Sequence, residues 1–393
     1  MRGSLKQRSK GSWSIRIDLG DVTDPVTGLQ KRKQKCSTFR GTRKQAEDHL
    51  ADLLKVVKDG DYVDTSTLTL GGWLTEWLKA SKKKFRPSTY ERYRGIIDND
   101  LAPSAIGKML LQQVRPTHLE QYYAGAAQAA TTLTLHHTIL FQALRKATKD
   151  RHLARNPAID LDHKPRRPRQ KRAEDAMQHC WTAIDARAFL LAALAAGPRQ
   201  AAFYALALDS GARKGELCGL KWANLDLDAG KLRIVEQLLK PGPDPVFGPT
   251  KTGLPRTVSL GAETVVLLRA HRQQQRELLM RNRTTYRDFD LVFAKEYPDL
   301  QRHGEMLGYP LQINNLGQRE YAKLIKAAGV RRIKFHGLRH TCATLLLQAR
   351  TPVHVVSERL GHSKVSMTME IYAHVLPDMQ TEAASILGAI LHG

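Results

Sequence analysis

A nine-residue tract near the middle of the chain limits what it can fold into more than any other feature. Lys164 to Arg172 reads KPRRPRQKR, with six basic residues, no acidic one and two prolines. Proline lacks the backbone donor that helices and sheet interiors need, and crowded like charges keep a segment extended. The tract over 164–172 therefore reads as an interdomain linker that tracks a polyanion, in preference to a nuclear-localisation signal. A single core running through the whole chain is excluded, so each side must bury its own. The chain has 393 residues, enough for this at roughly 150 per domain.

Hydrophobic residues at 42% and charged ones at 25% are ordinary for a folded protein, which sets aside wholesale disorder and collagen-like repetition. The net charge of +24 points to a polyanionic partner, nucleic acid before an acidic membrane surface. Cys36, Cys180, Cys218 and Cys342 form no C-x-x-C pair, which argues against a disulfide framework and a cysteine zinc site. No stretch approaches the ~20 apolar residues of a membrane span, and MRGSLKQRSKGSWS lacks the apolar core of a secretory signal. A cytoplasmic protein with reduced thiols and no membrane partner is expected.

Residues 1–65 read as a small sheet followed by a helix. Trp13, Ile15, Ile17 and Leu19 alternate with Ser14, Arg16 and Asp18, as in a half-buried strand. A turn at Pro25 and Gly28 leads to a second strand ending near Phe39. Thr42 can cap a helix whose stripe of Ala46, Leu50, Leu53, Leu54 and Val57 would cover one face of the sheet. The other face would be basic, with Arg16, Lys31, Arg32, Lys33 and Lys35, suited to a DNA groove or to solvent.

Residues 66–163 read as a helical module. Leu70, Trp73, Leu74, Trp77 and Leu78 share one helix face, Pro87 and Pro116 each open a helix, and Leu133 to Asp150 supplies another. Lys82, Lys83, Lys84 and Arg86 crowd its first connection, fit for phosphate contacts or for plain solvation, and Arg166, Arg167 and Arg169 continue the basic surface in the linker. From 173 to 393 the pattern is mixed and mainly helical. Gly211 breaks one helix so that another starts with Arg213 in its first turn, and a β-rich stretch from Leu225 to Leu260 carries an Asp-Ala-Gly turn. The whole is a multidomain α+β chain.

The chemistry concentrates late in the sequence. In HGLRHTCATL, His336, Arg339 and His340 lie on one side of a helix at i, i+3 and i+4. The paired histidines invite a metal, but no Glu follows the first as in H-E-x-x-H, and an arginine between them repels a cation. An anion is the better guest. Taken singly, Arg213 with Glu216 reads as a helix pair, His336 as a half-buried histidine and Tyr372 as a core anchor. Their ordered co-occurrence is what argues against chance.

The segments SGARKGELCGLKW, HGLRHTCATLL and LGHSKVSMTMEIY resemble the signature boxes of the tyrosine recombinase, or phage integrase, family. The likeness is strong from about Ala173 to the C-terminus and holds in outline upstream, as an arm-type DNA-binding sheet and a SAM-like helical core-binding domain. It implies that Arg213, Lys251, His336, Arg339 and His362 surround a nucleophilic Tyr372. Lys251, in TKTGLPRTVSL, is placed at a mobile hairpin, with Lys221 and Lys240 as nearby competitors.

Elementary chemistry explains why such groups should meet. Transfer of a phosphodiester needs an in-line nucleophile, a clamp on the non-bridging oxygens and a proton for the leaving oxygen. Arg213 and Arg339 suit the clamp, His362 a further hydrogen bond, His336 proton movement at the phenol and Lys251 general acid catalysis. A tyrosine ionises near pH 10 in isolation, and nearby cations favour its phenolate. The covalent 3′-phosphotyrosyl link conserves the ester bond, so neither ATP nor any cofactor or metal is expected.

The expected partners are double-stranded core and arm DNA sites, three further copies in a homotetramer and, for control of direction, an excisionase and a host DNA-bending protein. A type IB-like topoisomerase and a non-catalytic DNA-binding regulator are the alternatives. In the C-terminal tail, Ile386, Leu387, Ile390 and Leu391 form an apolar stripe, expected to pack on its own domain or on a neighbouring subunit.

Overall fold

A computed structural model describes residues 3–23, 30–58, 63–165, 179–297, 306–316, 318–372 and 379–392. The chain divides into two compact units, Met1–Pro168 and Arg169–Gly393, and the division falls inside the basic tract.

The first unit opens with an antiparallel sheet of β1 (Gly3–Ser9), β2 (Ser12–Thr23) and β3 (Gln30–Arg40), in that order, followed by α1 (Arg43–Lys58). Ile15 and Ile17 are buried beneath Leu50, Leu53, Leu54 and Val57, as their periodicities predict. Thr42 and Gln45 cap α1 reciprocally: the Thr42 backbone donates to Gln45 Oε1 at 2.9 Å, and the Gln45 backbone donates to Thr42 Oγ1 at 3.4 Å.

Two readings of this segment change. Strand β1 is additional to the expected pair, and it is exposed along nearly its whole length, so it carries no apolar alternation to read. Lys35 lies directly opposite Ile17, and side chains opposite one another across a ladder share a face. Lys35 therefore stands on the helix-covered face with Leu53, whereas Arg16 is exposed on the other. The side chains of Lys31, Arg32 and Lys33 and the Pro25/Gly28 turn lie outside the described residues.

The helical module comprises α2 (Leu70–Ala80), α3 (Pro87–Ile96), α4 (Ala105–Lys108), α5 (Pro116–Gly125) and α6 (Ala130–Lys149). Thr69 caps α2 by accepting from the Gly72 N–H at 3.1 Å, and Pro87 and Pro116 start their helices as expected. The α2 face carrying Trp73, Leu74, Trp77 and Leu78 is buried against Leu140 and Leu144 of α6. Trp73 donates its indole N–H to the Ala143 carbonyl at 2.9 Å, which fixes the crossing.

The second unit packs α7 (Ala183–Ala196), α8 (Pro198–Ser210), α9 (Lys214–Cys218) and α10 (Ala262–Arg281) with two small antiparallel sheets. One sheet joins β4 (Leu225–Asp226), β5 (Lys231–Ile234) and β8 (Arg256–Ser259), and the other pairs β6 (Glu236–Lys240) with β7 (Val246–Pro249). Helices α11 (Glu320–Ala328), α12 (His336–Gln348), α13 (Val353–Leu360), α14 (Val365–Tyr372) and α15 (Met379–His392) complete it. Helix α8 is the hub, with Phe203, Tyr204 and Leu206 inside one apolar core with Trp181, Phe293 and Phe335. Among the described residues the expected packing of the tail on its own domain is not found: Ile386, Leu387, Ile390 and Leu391 are 54%, 55%, 73% and 64% exposed. Among the described residues no helix is long and apolar enough to cross a membrane.

Gly211 ends α8 in the left-handed conformation at φ 61°, and a Cβ there would lie 2.6 Å from Leu360 Cδ2. Gly211→Ala is expected to lower stability by about 1–3 kcal/mol. A urea titration that shows a reduced midpoint with an unchanged slope checks it, and an unchanged midpoint refutes it.

Candidate active site

The glycine turn after α8 sets the site. It redirects the chain so that Arg213 stands at the N-cap of α9, one position before the first turn that the sequence suggests. The Arg213 backbone donates to Glu216 Oε2 at 2.9 Å and its Nη1 donates to Oε1 at 2.9 Å. Its Nη2 reaches the Gly361 carbonyl at 3.2 Å, tying α9 to the end of α13. Arg339, buried in the first turn of α12, donates from Nη1 to the Gly211 carbonyl at 2.8 Å. The two arginines are thereby anchored to backbone carbonyls of the two glycine turns.

The histidines complete one cluster. His336 opens α12 with its ring 4.9 Å from that of His340, edge to face. Burial lowers His336 to about 4, helped by the charges of His340, Arg339, Arg213 and Lys251. Burial likewise lowers His362 to about 4, with Arg339, Arg213, His340 and His336 acting in the same direction. Arg213 and Arg339 act on both rings and Lys251 acts on His336, so the five residues share one cluster.

Lys251 occupies a turn closed by a hydrogen bond from the Gly253 N–H to the Thr250 carbonyl at 3.0 Å. That turn links β7 to β8, so Lys251 stands just past the β6–β7 hairpin rather than at its tip. Tyr372 is the last residue of α14 and its side chain lies outside the described residues. The helix itself is fastened to the cluster by a 2.8 Å hydrogen bond between His362 Nδ1 and Thr368 Oγ1, one turn before Tyr372.

Two contributors were not singled out from sequence. Arg256 is buried in β8, where alternation would place an apolar residue, and it grips Glu216 through Nη1 at 3.1 Å and Nη2 at 2.7 Å. Its inward register beside Val258 is the signal that could have found it. Arg359 donates from Nε to the Asp209 carbonyl at 3.0 Å, holding α13 against the end of α8. Burial pushes the Glu216 carboxyl up, but the hydrogen bonds and charge of Arg256, then those of Arg213, hold it below its ordinary value.

A cleft of about 780 Å³ opens beside His336, lined by His179, Lys214, Asn314, Gln318, Arg332 and Lys334. It offers cationic and amide groups, the equipment for a phosphate backbone. Of the surface residues expected to meet DNA, Lys82, Lys83, Lys84 and Arg86 are exposed, and Arg166, Arg167 and Arg169 lie outside the described residues. Among the described residues no group of three or more His, Cys, Asp or Glu is placed to hold a metal ion.

Two arginines, two depressed histidines and a lysine thus share one cationic cluster, a set of groups suited to an anion. The phage integrase family model matches residues 173–379, just over half of the chain, and a SAM-like N-terminal domain of phage integrases matches 69–125. The chain belongs to the phage integrase family, the tyrosine recombinases.

Among curated relatives, it is 29% identical to a XerC-like tyrosine recombinase of Caldanaerobacter subterraneus over 88% of this chain and 89% of that one. It is 21% identical to the ICEBs1 integrase of Bacillus subtilis over 99% and 100%. In fold it resembles the Tn1549 transposon integrase bound to circular intermediate DNA, with TM-score 0.62, 18% identity and coverage of 81% and 99%. It also resembles lambda integrase, solved as a tetramer on a Holliday junction, with TM-score 0.57, 17% identity and coverage of 93% and 94%.

The histidine shifts carry a pH dependence. His336 and His362 titrate near 4 in the fold and at 6.5 when unperturbed, so between those values the unfolded chain binds more protons. Their contribution to stability is fully present above 6.5 and is lost as pH falls through 4. Thermal melts at stepped pH should show Tm falling across this window, with a shallower fall in His362→Gln.

Proposed function

We propose that this tyrosine recombinase integrates and excises a mobile element, cutting and rejoining DNA through Tyr372. The observation that carries the reading is the meeting of Arg213, Arg339, Lys251 and two histidines beside the helix that ends at Tyr372. Arg213 and Arg339 clamp the non-bridging oxygens of the scissile phosphate and stabilise the charge that builds on them. The phenol oxygen of Tyr372 attacks phosphorus, the bond to the 5′ oxygen breaks, and Lys251 donates the proton that oxygen needs.

His336 and His362 are depressed by burial and, in the same direction, by neighbouring cations, so both rings are neutral at pH 7 in the DNA-free protein. An arriving phosphate brings negative charge that offsets this repulsion. His336 can then take the phenol proton while His362 hydrogen-bonds a phosphate oxygen. Attack by a 5′ hydroxyl of another strand on the 3′-phosphotyrosyl bond reverses each step and returns the tyrosine. Transesterification conserves the bond, so the cycle needs no external energy source.

In the same reading, the helical module holds core DNA with Lys82, Lys83, Lys84 and Arg86, and the N-terminal sheet holds arm sites with Arg16 and its basic third strand. Arm binding adds effective concentration at the core site. Two duplexes with four strands to cut call for a tetramer, and the uncovered stripe of α15 supports docking on a neighbouring subunit. An excisionase and a host DNA-bending protein would set direction, in the cytoplasm where the nucleoid lies.

The decisive substrate is a nicked duplex built from the junctions where the encoding element meets host DNA. Wild type should become covalently attached and Tyr372→Phe should not, while Arg213→Ala should slow attachment by about 10²–10³ or more. No adduct from wild type would leave a DNA-binding regulator. Adduct without strand exchange between two labelled duplexes would leave a type IB-like topoisomerase. Deletion of residues 380 to 393 is expected to abolish the DNA-bound tetramer and strand exchange while one duplex is still bound, as gel-shift and exchange assays would show.

A further inference from the structure

The mechanism above uses Arg213 as a cation, yet Arg213 makes a 2.9 Å ion pair with a carboxylate whose side chain is wholly buried. An isolated Arg213–Glu216 pair would be close to neutral, and its guanidinium would face a second anion with little net charge. Arg256 changes that balance. It places two nitrogens on the same carboxylate at 3.1 and 2.7 Å, a fork that fits both oxygens.

Two guanidiniums then share one carboxylate, and the triad carries one surplus positive charge. The side chain of Arg256 is 6% exposed and that of Arg213 is 18% exposed, so the deeper arginine is the one committed to Glu216. The surplus falls on the outer member, which faces the cluster. Arg256 also donates from Nε to the Arg359 carbonyl at 2.9 Å, beneath the turn that presents His362. At Gly361, φ is +66° and a Cβ would come within 2.9 Å of Arg256 Cδ and Nη1, so the turn closes directly onto this side chain.

We propose that Arg256 is a positioning residue that takes up the charge of Glu216 and thereby leaves Arg213 cationic towards the scissile phosphate. The inference rests on the recombinase reading and assigns no contact between Arg256 and DNA.

The test measures single-turnover covalent attachment, duplex affinity and thermal melting on the same nicked duplex. Arg256→Met should slow attachment about 30-fold, within the ~10²–10³ limit for losing one transition-state donor, with duplex affinity nearly unchanged. Arg256→Lys keeps the charge without the fork and should lie between Met and wild type. The double variant Glu216→Gln with Arg256→Met removes both buried charges, so it is the arm best able to fold. It should recover at least about tenfold over Arg256→Met, because a neutral amide no longer cancels Arg213.

A double variant as slow as Arg256→Met would overturn the proposal, as would a single variant whose attachment falls only in step with melting and affinity. If Arg256→Met does not fold, a double variant as slow as Arg213→Ala overturns it equally. Failure of wild type to form any adduct would instead sink the recombinase reading, so the two failures are distinguishable.

Discussion

A single buried carboxylate organises the catalytic half of this protein. Glu216 has no solvent to stabilise its charge, so it must be paired, and it is paired with arginines from two different parts of the chain. One stands at the N-cap of a short helix and the other on a small sheet's edge strand. Their shared anion joins α9 to β8, and one further donor from each arginine reaches a carbonyl, Arg213 that of Gly361 and Arg256 that of Arg359. A turn containing His362 is held in place by the same interaction that orients Arg213.

Two left-handed glycines make this closeness feasible. Gly211 and Gly361 each end a helix, and each presents a carbonyl to one of the two site arginines. The carbonyl dipoles accept from guanidiniums without neutralising them, so the site stays cationic while its geometry is fixed. Burial first, and that excess of positive charge second, keep the rings of His336 and His362 from becoming imidazolium at pH 7. In the proposed reaction such a site is suited to an anion, whose charge would offset the repulsion on the two rings.

Much of the scaffold was legible because its elements are strongly periodic or punctuated. The stripe from Leu70 to Leu78, the proline-initiated helices and the Asp-Ala-Gly turn all recur in the fold, since local sequence and burial agree there. Strand β1 was not legible, being an edge strand with one half-buried apolar side chain. Lys35 was misjudged in orientation because three neighbouring basic residues suggested a common face, whereas the ladder sets it opposite Ile17. Arg256 escaped notice because a basic residue in a short strand ordinarily marks solvent, and only its pairing with Glu216 makes burial tolerable.

The sequence by itself determined the candidate cast of the site, in the order Arg213, Lys251, His336, Arg339, His362 and Tyr372, together with the basic tract that separates two units and the family to which these segments belong. Local spacing could do this because the motifs are short and chemically uncommon. Tertiary structure alone decided how the cast is arranged: which arginine neutralises Glu216, how far the histidines are depressed, and that the last helix leaves its apolar stripe uncovered. Those properties depend on distances between residues up to about 150 positions apart, such as Arg213 and Gly361. Charge coupling and desolvation are functions of such distances, and no one-dimensional pattern contains them.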